Sequence, residues 1–99
     1  MSFLVSYTLK DEADFDHQVA AMEELVADLK AAGIDGLDYS CFSTAEKTEF
    51  IGVLEFRDDT SKQGFLDSAA FDRYRAKVGP TFANPPQTRD IFAIGSTKA

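Results

Sequence analysis

The sequence contains a single cysteine, a single histidine, no tryptophan and no run of lysine or arginine. The single cysteine, Cys41, excludes a disulfide bond within the chain and argues against a thiolate metal site built by one copy. With a formal net charge of −7, the chain offers no basic surface for nucleic acid or for an anionic membrane. We therefore expect no nucleic acid, no membrane and no metal among its partners.

Long apolar runs are also missing. No segment approaches the roughly 20 apolar residues that span a bilayer, and the N-terminal segment lacks the basic start and the cleavage site of a signal peptide. We expect a cytoplasmic protein. The 99 residues suit one domain, residues 1–99, and 44% hydrophobic residues suffice for its core.

The first part of the chain carries a strand pattern followed by a helix pattern. Residues 2–10 alternate between apolar and mixed positions, which predicts a first strand. Acidic residues then suit a helix start, and Gly33 suits its end because glycine tolerates a left-handed backbone. Between them an apolar stripe at steps of four and three predicts the helix. This stripe consists of Phe15, Val19, Met22, Val26 and Leu29.

The remaining strands are predicted from the same alternation. Residues 37–44 and 49–57 form a hairpin joined by a polar turn. An extended linker containing Pro85 and Pro86 leads into a last strand over residues 88–96.

A second helix is predicted between the hairpin and the last strand. Thr60 and Gln63 have the form of a capping box, with Asp58 and Asp59 before them in a loop. After a short turn, Ser68 is placed to cap the helix. One face of this helix carries Phe71, Tyr74, Val78 and Phe82, of which Phe82 lies beyond a break at Gly79 and Pro80.

The resulting order β-α-β-β-α-β predicts an α+β fold of the ferredoxin-like kind. In this fold a four-stranded antiparallel sheet packs two helices on one face. The other face would carry Leu4, Ile51 and Val53. One phase of the last strand would join them, either Ile91 and Ala93 or Phe92 and Ile94.

An apolar sheet face that stays in water does not gain the roughly 25 cal/mol of stabilisation per Å² that its burial would give. We therefore expect a homodimer through the sheet face. The alternative is a monomer with ordinary scattered apolar surface residues.

Aromatic residues of the sheet and the second helix predict a small-molecule pocket between them. Tyr7 and Tyr39 would supply hydroxyls, and Phe65 and Phe71 would supply walls. Tyr74 on the second helix is a further candidate. The alternative is that these rings only fill the core.

Arg75 is the charged candidate beside this pocket. It lies about 40° from Phe71 on the helical wheel, at the edge of the sheet-facing stripe. Its guanidinium could hold a phenolate, carboxylate or enolate. The alternative is that it reaches solvent or pairs with Asp72 or Glu55.

His17 and Cys41 are weaker candidates. His17 is rotated by roughly 200° from Phe15 and should point to solvent or to a partner. Cys41 has no histidine placed to activate it and is expected to be a small buried hydrophobic residue.

The third strand and the second helix resemble those of the antibiotic biosynthesis monooxygenase family, within the dimeric α/β barrel superfamily. The matching residues are Glu55 and Phe56, the stretch 65–74 (FLDSAAFDRY), and the start of the second strand at 36–39. The family pattern is an acidic residue and Trp, then His-Leu, a small residue, Phe or Met, and Tyr. The resemblance implies two sheets closed into a barrel. It also implies members that oxygenate an electron-rich substrate without metal or flavin, so we expect no cofactor.

The chain departs from the family pattern at several positions. Phe56 stands where Trp is frequent, Phe65 where His is frequent and Ala70 where another His often lies. Relatives that degrade haem pair an Asn on the first strand with a Trp and a His. Here Asn84 is the only Asn, and Arg75 falls where that His would be. We therefore do not expect haem degradation.

Two functional hypotheses remain. The first is a cofactor-free monooxygenase for a small aromatic, quinol or polyketide-like molecule, with Tyr74 and Arg75 as its catalytic residues. The second is a non-catalytic dimeric module that binds a small apolar ligand or a protein partner.

Overall fold

The computed structural model describes residues 1–97 and has the predicted order of strands and helices, with the second helical segment divided in two. A 3-10 turn, Glu12–Asp14, precedes the first helix. The elements are β1 (Ser2–Thr8), α1 (Phe15–Ala32), β2 (Leu37–Ser43), β3 (Glu49–Phe56), α2 (Asp59–Leu66), α3 (Ala69–Val78) and β4 (Gln87–Ile91). In residues 1–97 no helix has the length and apolar character needed to cross a bilayer.

The four strands form one antiparallel sheet in the order β2-β3-β1-β4. In the β1–β3 pair, Phe3 lies opposite Leu54 and Leu4 lies opposite Val53. Because side chains alternate along a strand, these two pairs lie on opposite faces of the sheet. Leu54 belongs to the core shared with the helices. The ferredoxin-like α+β fold predicted from the sequence is confirmed.

The buried face of α1 is displaced from the predicted stripe. Met22 and Leu29 are buried as predicted, whereas Val19 and Val26 are only half-buried. The face centres instead on Leu25 and Gln18, which are 1% and 0% exposed. The apolar spacing did not predict this centre of the buried face because Gln18, its first residue along the chain, is polar. Gly33 ends the helix with φ +64°, as predicted.

The start of the second helical segment corrects the prediction. Asp58, and not Thr60, caps α2, because its Oδ1 accepts the Ser61 backbone N–H at 2.9 Å. The predicted loop is therefore wrong at Asp59, which is the first residue of α2, whereas Asp58 precedes the helix as its cap. Ser68 caps α3 as predicted, and its Oγ accepts the Phe71 N–H at 3.1 Å.

The C-terminal part of the chain is less regular than predicted. Helix α3 ends at Val78, so Phe82 lies outside it and packs on the Tyr7 ring at a centroid distance of 4.8 Å. The last strand ends at Ile91, so the predicted strand over 88–96 is too long. Phe92 and Ile94 follow the strand and are exposed to solvent.

The face of the sheet opposite the helices is apolar at its centre. Leu4, Ile51 and Val53 lie there on the two middle strands and are half-buried. Phe42 on β2 pairs with Ile51 and is 55% exposed. On β4, Ile91 pairs with Ser2 and therefore belongs to the same face. We call these five residues the outer apolar face.

Candidate functional site

A cavity of about 250 Å³ lies between the helix side of the sheet and helices α2 and α3. All six residues proposed from the sequence lie on its wall, namely Tyr7, Tyr39, Phe65, Phe71, Tyr74 and Arg75. The other lining residues are Phe3, Val5, Leu54, Phe56, Lys62, Leu66, Phe82, Pro86 and Thr88. The aromatic rings therefore contribute to the core and also leave room for a small molecule.

Phe65 holds the aromatic wall of this cavity together. It is 3% exposed, and its ring contacts Phe71 at a centroid distance of 4.5 Å. The rings of Tyr39 and Phe56 each lie 5.8 Å from it, the first edge-on. Such offset and edge contacts fix the orientation of neighbouring rings. Phe65 thus joins α2, α3 and the sheet at the cavity wall.

The hydroxyls of Tyr7 and Tyr74 meet at Gln18, which sequence reasoning missed. The Gln18 Nε2 donates to the Tyr7 Oη at 2.8 Å and to the Tyr74 Oη at 2.7 Å. The two Oη atoms are 3.4 Å apart, and the Tyr7 Oη is 3.5 Å from the Cys41 Sγ. The Gln18 Oε1 has no hydrogen-bond partner within residues 1–97. Its helical spacing from Met22 and Leu25 was the available signal, because it places Gln18 on the buried face.

In this network the hydroxyls of the two tyrosines are able to donate hydrogen bonds. Each hydroxyl oxygen already accepts an amide hydrogen from Gln18, so each hydroxyl proton must go elsewhere. One tyrosine can donate to the other, and the remaining proton is available to Cys41 or to a molecule in the cavity. Gln18 therefore sets the direction of hydrogen bonding at the two cavity tyrosines.

Burial keeps all three cavity tyrosines protonated. Desolvation is the main cause that raises the pKa of Tyr7, of Tyr39 and of Tyr74 above that of a free phenol. Burial likewise raises the pKa of the Cys41 thiol. At neutral pH these groups are hydrogen-bond donors and not bases, and Cys41 is not an activated nucleophile.

Two cations lie at the outer part of the cavity wall. The Arg75 side chain is 58% exposed and pairs with Asp72, which was one of the alternatives proposed from the sequence. Its Cζ lies 4.6 Å from the Phe71 ring centroid. The Lys62 Nζ lies 4.6 Å from the Phe3 ring centroid. Both rings also line the cavity. Lys62 was missed because α2 was not fully assigned from the sequence.

His17 lies outside this site. It is exposed on α1, as its helical position predicts, and its Nε2 is 3.2 Å from the Lys77 carbonyl oxygen. In residues 1–97, no group of three or more His, Cys, Asp and Glu side chains is arranged to hold a metal ion.

Comparison with known proteins identifies the fold. No family model matches the chain, and no curated protein matches it in sequence. A protein of Nitrosomonas europaea, provisionally described as an antibiotic biosynthesis monooxygenase, has a similar structure with TM-score 0.83 and 13% identity, over 98% of this chain and 92% of that one. A Caulobacter crescentus protein with the same provisional description has a TM-score of 0.82 and 18% identity, over 95% of this chain and 89% of that one. A third protein, described as an antibiotic biosynthesis monooxygenase, has a TM-score of 0.78 and 14% identity, over 96% of this chain and 100% of that one.

These similarities confirm the resemblance seen in the sequence at the level of fold. The chain has the fold of antibiotic biosynthesis monooxygenases over nearly its full length.

Proposed function

We propose that this protein binds a small electron-rich aromatic molecule in the cavity and oxygenates it with O₂, without a metal or flavin. The observation that carries the proposal is an aromatic cavity of about 250 Å³ that is lined by three tyrosines and two cations. The shared fold with antibiotic biosynthesis monooxygenases supports the reaction class. We assign Tyr74 and Arg75 as the catalytic residues.

A quinol suits these groups as a substrate. Positive charge at Arg75 and Lys62 lowers the pKa of a bound quinol, so that solvent at the open side can take its proton. The resulting anion is the form that gives up electrons to O₂. Tyr74 can donate a hydrogen bond to a negatively charged oxygen as it forms.

The proposed reaction balances without another reductant. A quinol and O₂ give a hydroxyquinone and water: one oxygen atom is inserted into a ring C–H bond, and the other leaves as water with the two hydroxyl hydrogens of the quinol. Hydroxylation of the ring removes two electrons from the substrate, and oxidation of the quinol to the quinone removes two more. These four electrons equal those needed to reduce O₂.

Removing either catalytic group should slow the reaction. We expect Tyr74→Phe and Arg75→Gln each to lower the rate about tenfold or more, because each removes a group that stabilises developing negative charge. Oxygen uptake and quinone absorbance with one- and two-ring quinols measure this rate.

Arg73→Gln is the matched control for this experiment. Arg73 lies on the same helix, pairs with Asp28 and does not line the cavity, so its loss should leave the rate unchanged. Equal rates for the parent, Tyr74→Phe and Arg75→Gln would remove both residues from the mechanism. Absence of oxygen uptake with every substrate would refute the oxygenase.

A binding module without turnover is the second candidate. The cavity wall contains no carboxylate and no imidazole, so within residues 1–97 it holds no conventional general base. This module would bind the same aromatic molecules and leave them unchanged, or it would serve a protein partner. Ligand recovered intact under air would favour it.

We also propose that a second copy of the chain covers the outer apolar face. Leu4, Ile51 and Val53 are contiguous across the two central strands, Phe42 extends this surface to β2, and Ile91 lies on the same face of β4 opposite Ser2. A contiguous apolar patch on an uncovered sheet face is typical of an interface. A matching sheet is the simplest cover because it presents the same shape and chemistry. The cytoplasmic location stays a prediction.

Val53→Asp tests this dimer. An aspartate at the centre of the outer apolar face would be buried without a partner in the dimer, so we expect association to weaken by more than about a hundredfold. Sedimentation equilibrium at micromolar concentration measures it, with Val53→Thr as the isosteric uncharged control. A parent protein that sediments as a monomer at these concentrations would contradict the proposal.

A further inference from the structure

We infer that the ligand of the cavity is an amphipathic anion, with an apolar body of one or two rings and one anionic oxygen group held by Lys62 and Arg75. The inference deepens the proposed function and rests on it, because both require a small molecule in this cavity. It adds the polarity of the ligand, the direction in which it enters and a binding role for Lys62.

The charges on the cavity wall carry the first step. The chain has 17 acidic and 10 basic residues, so a wall of random composition would be acidic. The charged residues that line the cavity are nevertheless both cations, Lys62 and Arg75, and Asp72, the exposed partner of Arg75, does not line it. This local reversal of the sign of the net charge favours a negatively charged ligand.

The positions of the two cations carry the second step. Arg75 is exposed and Lys62 is half-buried, whereas Leu54, Phe65 and Tyr74 on the same cavity wall are buried. The cations therefore lie at the mouth, and the apolar and aromatic groups form the floor. A ligand with an apolar body and one charged end satisfies both regions when the body enters first.

The aromatic rings beneath the cations carry the third step. The Lys62 Nζ and the Arg75 Cζ each lie 4.6 Å from a phenylalanine ring centroid, over Phe3 and Phe71 respectively. A cation over a ring face is held in place by the ring's quadrupole. The two charges are thus positioned beside the cavity before any ligand arrives.

The volume of the cavity limits the apolar body. An engineered apolar cavity of about 150 Å³ binds benzene, and this cavity measures about 250 Å³. One ring or two fused rings therefore fit. A carboxylate or an acidic phenolate on such a body would reach the mouth.

Paired probes that differ only in charge test the inference. 2-Naphthoate and 2-naphthalenemethanol have the same two-ring body, and their affinities can be compared by calorimetry or by naphthalene fluorescence. We expect naphthoate to bind at least about fivefold more tightly, because only it carries the charge that Lys62 and Arg75 attract. Raising the salt concentration from about 0.05 to 0.5 M should weaken the binding of naphthoate and leave the binding of the alcohol unchanged.

Variants identify the residues responsible. Lys62→Gln and Arg75→Gln should each weaken the binding of naphthoate about threefold to tenfold without affecting the binding of the alcohol. Lys62→Arg keeps the charge and should keep the preference for naphthoate. Arg73→Gln removes one positive charge from α3 outside the cavity and controls for net charge.

Equal affinity of the parent for the two probes would overturn the inference, and so would an equal loss of naphthoate binding in Arg73→Gln. Failure of the proposed function has a different signature. A protein that keeps the preference for naphthoate, and loses it in both glutamine variants, but takes up no oxygen with any substrate, refutes the oxygenase and supports the anion site.

Discussion

Replacing Gln18 by glutamate is expected to lower the free energy of unfolding, beyond the loss of the amide hydrogen bonds, by about 1 kcal/mol at pH 5 and by about 3 to 4 kcal/mol at pH 7. Gln18 is fully buried beneath Tyr7 and Tyr74, so desolvation would raise the pKa of a carboxyl at this position. The unfolded chain would lose the proton from about pH 4.3, while the folded chain would retain it. Stability therefore falls by about 1.4 kcal/mol per pH unit as the pH rises towards the folded pKa.

Gln18→Leu is the matched control for this titration. It removes the same amide hydrogen bonds and introduces no titratable group, so its cost of about 1 to 3 kcal/mol should not vary between pH 5 and 8. Urea unfolding of both variants at several pH values separates the two effects. A glutamate variant that follows the leucine variant across this range would show that water reaches position 18.

Replacing Gly36 by alanine is expected to cost about 2 to 5 kcal/mol. Its φ of +75° disfavours any residue with a Cβ, which accounts for about 1 to 2 kcal/mol. A Cβ at this position would also lie 2.5 Å from the Ser61 Oγ and 2.9 Å from the Arg57 Cβ. Relieving these clashes requires movement of α2 or of the end of β3, for about another 1 to 3 kcal/mol.

Gly33→Ala separates these two contributions. Gly33 has a similar φ of +64°, but a Cβ there would have no heavy atom within 4 Å. We expect only the backbone cost of about 1 to 2 kcal/mol. Thermal and urea unfolding of the two variants give the difference. Equal losses at the two glycines would mean that the loop before β2 moves freely away from Ser61.

The sequence allowed the secondary structure to be predicted because its signals are local. The alternation in β1 and β3, the left-handed Gly33 and the capping Ser68 each depend on residues a few positions apart. The same local rules failed where two signals compete. Asp58 and Thr60 are both acceptable caps, and only the backbone of α2 shows that Asp58 accepts the hydrogen bond. The last strand was overextended because alternation continues past Ile91 after pairing with β1 has ended.

The candidate site was predicted in its aromatic part. Tyr7, Tyr39 and Tyr74 lie on predicted inward-facing positions, and all three line the cavity. Gln18 was missed because a polar residue contributes nothing to an apolar stripe, and Lys62 was missed because α2 was not fully assigned from the sequence. Their importance comes from neighbours that are distant along the chain.

By itself, the sequence determined the order of the elements, the two faces of the sheet and the aromatic character of the layer between sheet and helices, since each follows from the period of the backbone. The tertiary structure decided that the aromatic rings leave a cavity, that Gln18 joins two tyrosines 56 and 11 residues away, and that Lys62 and Arg75 lie at its mouth. Periodicity sets the direction of each side chain from its own strand or helix. The distance between side chains on different elements depends on how those elements pack, and packing is a property of the whole chain.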